Sequence, residues 1–222
     1  MNKRRNLPSD FQPETLFGEI AVPDTFTRAE LIEVPANDSL ETILSEVKTN
    51  HSCGACKPGM PVVFGAGPAP AELMLIGEGP GIDDIKSELP FQGQAGILLA
   101  KMLSAISVVR SECYICNVIK CVPPGERNFS VEEIEGCRPF LLRQVLAVNP
   151  RLIVAFGALA AQTLLRSKKT ISDLRGRQYK LQLNDQQFAL IPIFNPAYLL
   201  RAAEKKREAW EDLKMVREFL RG

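Results

Sequence analysis

Short apolar runs alternating with helix-patterned segments constrain this chain more than any other feature. Leu73-Met74-Leu75-Ile76, the run that opens at Cys113, Leu152 to Phe156 and Phe188 to Phe194 are of strand length and apolar almost throughout. A continuous apolar run of that length marks a strand covered on both faces. Between the runs, Ala95, Leu98, Leu99, Met102, Leu103 and Ile106 recur at helical spacing. Ile134, Cys137, Leu141, Val145 and Val148 do the same behind Ser130, a good cap, with Glu132 and Glu133 placed to complement the helix dipole. Another helix is expected from Ala158 to Arg166. A charged amphipathic helix with Trp210, Leu213, Val216 and Leu220 closes the chain. Strands alternating with helices predict an α/β fold with a mostly parallel sheet covered on both faces. Tyr179 to Leu183 reads as an added edge strand, joined to the next by a hairpin turn at Asn184-Asp185.

Composition narrows the classes. The chain has 222 residues and 45% hydrophobic residues, enough for one full core. Its net charge is +1, so no global field advertises nucleic acid, and such a partner must be held by local basic groups. No apolar run approaches the roughly 20 residues that span a bilayer. The basic N-terminus lacks an apolar segment behind it, unlike a secretory signal. The expected location is cytoplasmic, where six cysteines point to metal or redox chemistry before disulfides. Residues 1–50 read as an extension punctuated by Pro8, Pro13, Pro23 and Pro35. Its one helical pattern begins near Leu40, capped by Asp38 or Ser39, and the main domain is expected over residues 51–222.

Gly77-Glu78-Gly79-Pro80-Gly81 follows the first apolar run, with Asp83-Asp84 and Pro90-Phe91-Gln92-Gly93 close behind. A loop leaving a buried strand at this point lies at the carboxyl end of the sheet, where open α/β sheets bind ligands. It lacks the Lys and Ser/Thr of a phosphate-binding loop, and its acids would repel a phosphate.

The cysteines divide into two kinds. Cys53 and Cys56 form a CxxC in a small-residue loop beside His51, the only histidine. Cys113 and Cys116 share that spacing but fall in a predicted strand, where residues three apart point to opposite faces. Cys121 leaves that strand into a loop and Cys137 lies in the first turns of the following helix. Loop and helix-start positions suit metal ligands better, so Cys53, Cys56, Cys121 and Cys137 are paired as a ligand set. Cys113 and Cys116 read as small buried apolar residues.

Gly77 to Gly81, Pro90 to Gly93, Asn117 to Gly125 and Asn195-Pro196-Ala197-Tyr198-Leu199-Leu200-Arg201 together resemble the successive motifs of the family 4 uracil-DNA glycosylases, from about Cys53 to the C-terminus. The resemblance implies a three-layer α/β/α domain with a central four-stranded parallel sheet. It implies a structural [4Fe-4S] cluster on the four cysteines, uracil-containing DNA as partner, single- or double-stranded, and a monomer. The reaction would be hydrolysis of the N-glycosidic bond of flipped-out uracil in base excision repair, leaving an abasic site. Flipping costs a few kcal/mol.

That chemistry assigns roles. Phe91 would stack on the base. Asn117 offers a donor and an acceptor that match the O4/N3 edge of uracil and mismatch cytosine. Gly79 and Pro80 would line the pocket. Glu78 or Asp84 would orient water or stabilise the sugar cation, and Asn195 would face the departing base. Leu199-Leu200-Arg201 looks like the family's wedge loop, with Leu199 and Arg201 as DNA contacts. Lys120, Arg127, Lys205, Lys206 and Arg207 are further candidates for phosphates. Two positions depart from the family pattern. Asn195 stands where typical members have histidine, and Asp84-Ile85 stands where they have Glu-Asp. These departures keep alive a preference for another deaminated base, such as hypoxanthine or xanthine, and a catalytically weak protein that binds uracil or abasic DNA. A zinc or redox protein using the CxxC pairs is the remaining alternative.

Overall fold

The computed structural model describes residues 34–35, 38–50, 60–121 and 129–222. His51, Cys53, Cys56 and Arg127 lie outside the described residues, as does most of the expected N-terminal extension.

The described elements run α1 (Leu40–Asn50), β1 (Leu73–Gly77), α2 (Ile82–Ser87), α3 (Gly93–Ala105), β2 (Tyr114–Asn117), α4 (Val131–Val148), β3 (Leu152–Phe156), α5 (Ala158–Leu165), α6 (Ile171–Leu174), β4 (Tyr179–Leu183), β5 (Gln186–Ile193), α7 (Pro196–Arg201) and α8 (Lys206–Arg221). They build a five-stranded sheet in the order β2-β1-β3-β5-β4. Four strands are parallel, and β4 pairs antiparallel with β5 as the edge. The expected four-stranded count therefore holds only for the parallel part. The fifth strand is the hairpin partner, which turns back through Asn184 with φ of 50°.

Alternation along the strands sorts side chains between two cores. Leu73 and Leu75 of β1 face one way, with Leu99, Leu103, Leu213 and Val216 from α3 and α8. Met74 and Ile76 face the other, with Leu141, Val145, Ala160 and Leu164 from α4 and α5. Each strand is apolar on both faces because helices cover both. Cys113 and Cys116 fall in opposite cores, as strand geometry requires. Helix α4 begins with a reciprocal cap, in which Ser130 Oγ accepts from the Glu133 N–H and the Glu133 carboxylate accepts from the Ser130 N–H.

Residues 38–50 carry the expected helix and pack against the domain. Ser39 Oγ accepts from the Thr42 N–H at 3.2 Å and caps α1. Ile43 and Val47 are buried in the α4-side core. Arg143 of α4 donates from Nε to Asp38 at 2.6 Å and from Nη2 to Glu46 at 2.9 Å.

The β1–β2 connection runs to one side of β1, and the later connection to β3 runs to the other. A crevice therefore opens at the carboxyl ends of these strands. If α1 belongs to the folded body, Ile43→Ala should lower stability by about 2–4 kcal/mol in denaturant unfolding. A loosely attached arm would leave the midpoint unchanged.

Candidate active site

All four parallel strands end on the same edge, so sheet order alone sets the lateral order of the residues that follow them. Asn117 ends β2, Gly77 and Glu78 end β1, Gly157 follows β3, and Asn195 follows β5 by two residues. Gly77 is directly paired with Asn117. Past that pair the backbone continues the ladder: the Val118 N–H donates to Gly77 O at 2.9 Å and the Ile119 N–H to Glu78 O at 3.0 Å.

Gly77 is where two of the expected site side chains meet. A Cβ there would lie 2.3 Å from Asn117 Oδ1 and 2.7 Å from two carbons of the Phe91 ring. The missing side chain lets amide and ring converge on one spot. Asn117 is 2% exposed, and its Nδ2 has no hydrogen-bond partner among the described residues. A buried amide donor left unpaired costs on the order of 1–3 kcal/mol, which a ligand acceptor would recover. Phe91 is buried and meets Phe156 edge-on, with centroids 5.8 Å apart.

Glu78 turns across β1 toward α5. Its Oε1 accepts from the Leu159 N–H at 3.1 Å, at the N-terminus of that helix. Gly157, with φ of 95°, leaves the room: a Cβ there would lie 2.4 Å from Glu78 Oε1 and 3.2 Å from Asn195 Cβ. Glu78, Gly157 and Asn195 are thus side by side. Burial pushes the Glu78 carboxyl above its ordinary value, against the opposing pull of the Leu159 and Ala158 N–H groups.

Asn195 is engaged locally at both ends of its amide. Oδ1 accepts from the Ala197 N–H at 2.9 Å and caps α7, while Nδ2 makes a long contact of 3.4 Å to Phe156 O. The preceding Phe194 packs on the Tyr198 ring with centroids 5.4 Å apart, and the Arg175 guanidinium lies over the Phe194 ring, 5.4 Å from its centroid. Arg175 itself binds both carboxylate oxygens of buried Asp212 at 2.8 Å. Burial pushes Asp212 up to about 6 in spite of that partner.

Asp84, the other expected catalytic acid, is placed differently. It is buried, with Oδ1 accepting from the Gln92 N–H at 2.6 Å and Oδ2 from the Gly81 N–H at 3.1 Å. Both oxygens face backbone, so the carboxylate ties the glycine loop to the Phe91 loop. Pro80 is buried, and Gly79 packs under Phe129, whose Cζ would lie 2.4 Å from a Cβ at that position. Phe129 had no local signal in the sequence, because it reaches the loop only through the fold.

Two expected DNA contacts need correction. Leu199 is 1% exposed and sits in the α3-side core, whereas Leu200 is 45% exposed. Leu200, not Leu199, is therefore the exposed apolar side chain of this segment, with exposed Arg201 beside it. Lys120 is fully buried, donating from Nζ to Asn117 O at 2.6 Å, and cannot meet a phosphate. Lys205 is paired with Glu208 at 2.7 Å, while Lys206 and Arg207 are exposed.

Of the four expected cluster ligands, Cys121 and Cys137 are described. Both are buried in the same core, against the carboxyl end of β2. Cys113 and Cys116 carry free, buried thiols. Burial pushes the Cys113 thiol up to about 11, which suits an inert core residue. No group of three metal-ligating side chains occurs among the described residues alone. Among them, too, no helix is long and apolar enough to cross a membrane.

An open, mostly parallel sheet thus carries a ring, an unpaired amide and a desolvated carboxylate at its carboxyl edge. Residues 64–214 match the uracil DNA glycosylase superfamily. The chain belongs to the type-4 uracil-DNA glycosylase family. It is 37% identical to a type-4 uracil-DNA glycosylase of Archaeoglobus fulgidus over 82% of this chain and 94% of that one. A Thermotoga maritima type-4 enzyme is 36% identical over 88% of this chain and 98% of its own length. One from Pyrobaculum aerophilum is 33% identical, covering 79% and 92%.

Because amide and ring share the space over one glycine, Gly77→Ala should leave the protein folded but reduce base release on the order of 10²-fold. Circular dichroism and single-turnover kinetics measure the two halves of that expectation.

Proposed function

We propose that this chain is a monofunctional uracil-DNA glycosylase of base excision repair, which hydrolyses the N-glycosidic bond of flipped-out uracil and leaves an abasic site. The observation that carries this is the buried, unpaired Nδ2 of Asn117 beside the Phe91 ring. The amide donates to O4 of uracil and accepts from N3–H. Cytosine presents a donor and an acceptor at the same two places, so it meets like with like. Phe91 stacks on the flipped base, and the loop backbone from Glu78 to Pro80 closes the pocket.

Bond cleavage leaves positive charge on the sugar and negative charge on the uracil ring. Glu78 serves the sugar side: its carboxylate stabilises the cation and takes a proton from the water that adds to the anomeric carbon. The uracil departs as an anion and is protonated from solvent. Asn195 offers that anion a neutral donor, and its long contact to Phe156 O is weak enough to exchange. An amide supplies no proton, so leaving-group assistance is weaker than a histidine gives. No lysine forms a Schiff base in this scheme, so the abasic strand stays intact. Leu200 fills the gap left by the flipped base, and Arg201 meets the backbone.

The family's [4Fe-4S] cluster fits these residues. Cys121 and Cys137 are buried in one core, and Cys53 and Cys56 would complete the ligand set that the family resemblance implies. When bound, the cluster supplies a cross-link between these segments and no redox step. The expected location stays cytoplasmic, and the expected assembly is a monomer.

The first test is base release from a single-stranded oligonucleotide with one uracil, where cleavage is expected only after alkali. Burial raises the Glu78 carboxyl, and ionised Glu78 is the active form. The rate should therefore fall as pH drops through a value above the ordinary glutamate range. Glu78→Gln should be slow and lose that acid limb; an unchanged limb sinks the assignment. Iron and sulfide content tests the cluster separately. Cys121→Ser should lose the bound iron and the brown colour, while Cys113→Ser should keep both.

A further inference from the structure

Phe91 sits in an unfavourable backbone conformation. Its φ is 54°, in the left-handed region that non-glycine residues rarely adopt. Such strain persists only where the surroundings over-determine it. Three groups do so here. Gly96 packs so close that a Cβ would lie 1.9 Å from Phe91 O. Asp84 Oδ1 binds the next N–H, that of Gln92. Arg110, which lies just before β2, reaches across with a single nitrogen. Its Nη2 donates to Pro90 O at 3.0 Å and to Phe91 O at 3.1 Å.

We propose that Arg110 is a positioning residue for the base-stacking ring, acting through the Pro90 and Phe91 carbonyls to hold Phe91 in its pose. This rests on the reading of Phe91 as the stacking ring. The loop has little else behind it. A cleft of 440 Å³ opens on that side, lined by Leu89, Pro90, Gln92, Val109 and Arg110 among others. A guanidinium bound to two carbonyls replaces the packing that a solid core would supply. Arg110 lies in the helical turn Arg110–Glu112 that leads into β2, so the clasp on the ring comes from the segment just before the strand that ends in Asn117. Asp84 is close enough to act on Arg110 electrostatically. Cation and anion therefore hold the loop from its carbonyl and N–H sides.

The test is a double-mutant cycle on cluster-loaded protein with a uracil-containing single strand. Arg110→Met should lower kcat/KM by about 10- to 100-fold, the scale of a misplaced binding group. Phe91→Ala should show a comparable loss. Arg110→Met added to Phe91→Ala should then cost less than about 2-fold more, because the clasp has no ring left to hold. Arg110→Lys should recover part of the loss, since one nitrogen makes both bonds; it also serves if the methionine variant does not fold. Two full losses that multiply in the double variant would overturn the proposal. So would an Arg110→Met effect that flattens the salt dependence of binding by about one charge whatever stands at position 91, which marks a phosphate contact. Wild-type base release by Phe91→Ala would instead remove the stacking reading, and the role of Arg110 with it.

Discussion

Two backbone hydrogen bonds beyond the end of the sheet hold the site together. From Val118 to Gly77 and from Ile119 to Glu78, they carry the β1–β2 ladder past its last strand pair. Asn117 is thereby fixed beside Gly77, although it lies where a chain would ordinarily turn away into a loop. With no Cβ at Gly77, the Asn117 amide and the Phe91 ring occupy the space that a side chain would take. Parallel pairing, a single glycine and two extra bonds thus produce a slot with an aromatic floor and a polar edge.

The carboxylates divide according to what surrounds them. Asp84 spends both oxygens on backbone N–H groups and works as a clasp between loops. Glu78 meets the start of α5 and is desolvated, which raises its basicity. Ile85 follows Asp84 with no carboxylate of its own, so Glu78 is the acid that the proposed mechanism places on the sugar side. Asn195 lies beside it across Gly157, with its amide partly spent on capping α7. The two groups thus differ in kind: a neutral, locally occupied amide beside a carboxylate of raised basicity.

Much of this was legible in the sequence, and for local reasons. Apolar runs and helical spacing announced the parallel sheet, because burial on two faces demands both. The opposite orientation of Cys113 and Cys116 followed from a two-residue repeat. Asn117 and Phe91 stood out by residue type, and the structure brings their side chains together at Gly77. Tertiary contact altered the rest. Lys120 looked like a cation for phosphate, but its strand exit turns inward and sends the ammonium to Asn117 O. Leu199 and Leu200 are the same residue type side by side, and only the docking of α7 on α3 decides which one is buried.

The sequence by itself determined the class of fold and the residue types available at the loop ends. Both depend on short-range periodicity or on side-chain chemistry. The tertiary structure alone decided that Asp84 is a clasp, that Glu78 lies against a helix N-terminus, and that Arg110 reaches the Phe91 loop from a distant turn. Each of those roles is set by which atoms lie within hydrogen-bond distance. That distance depends on how elements far apart in the chain pack, and no local pattern records it.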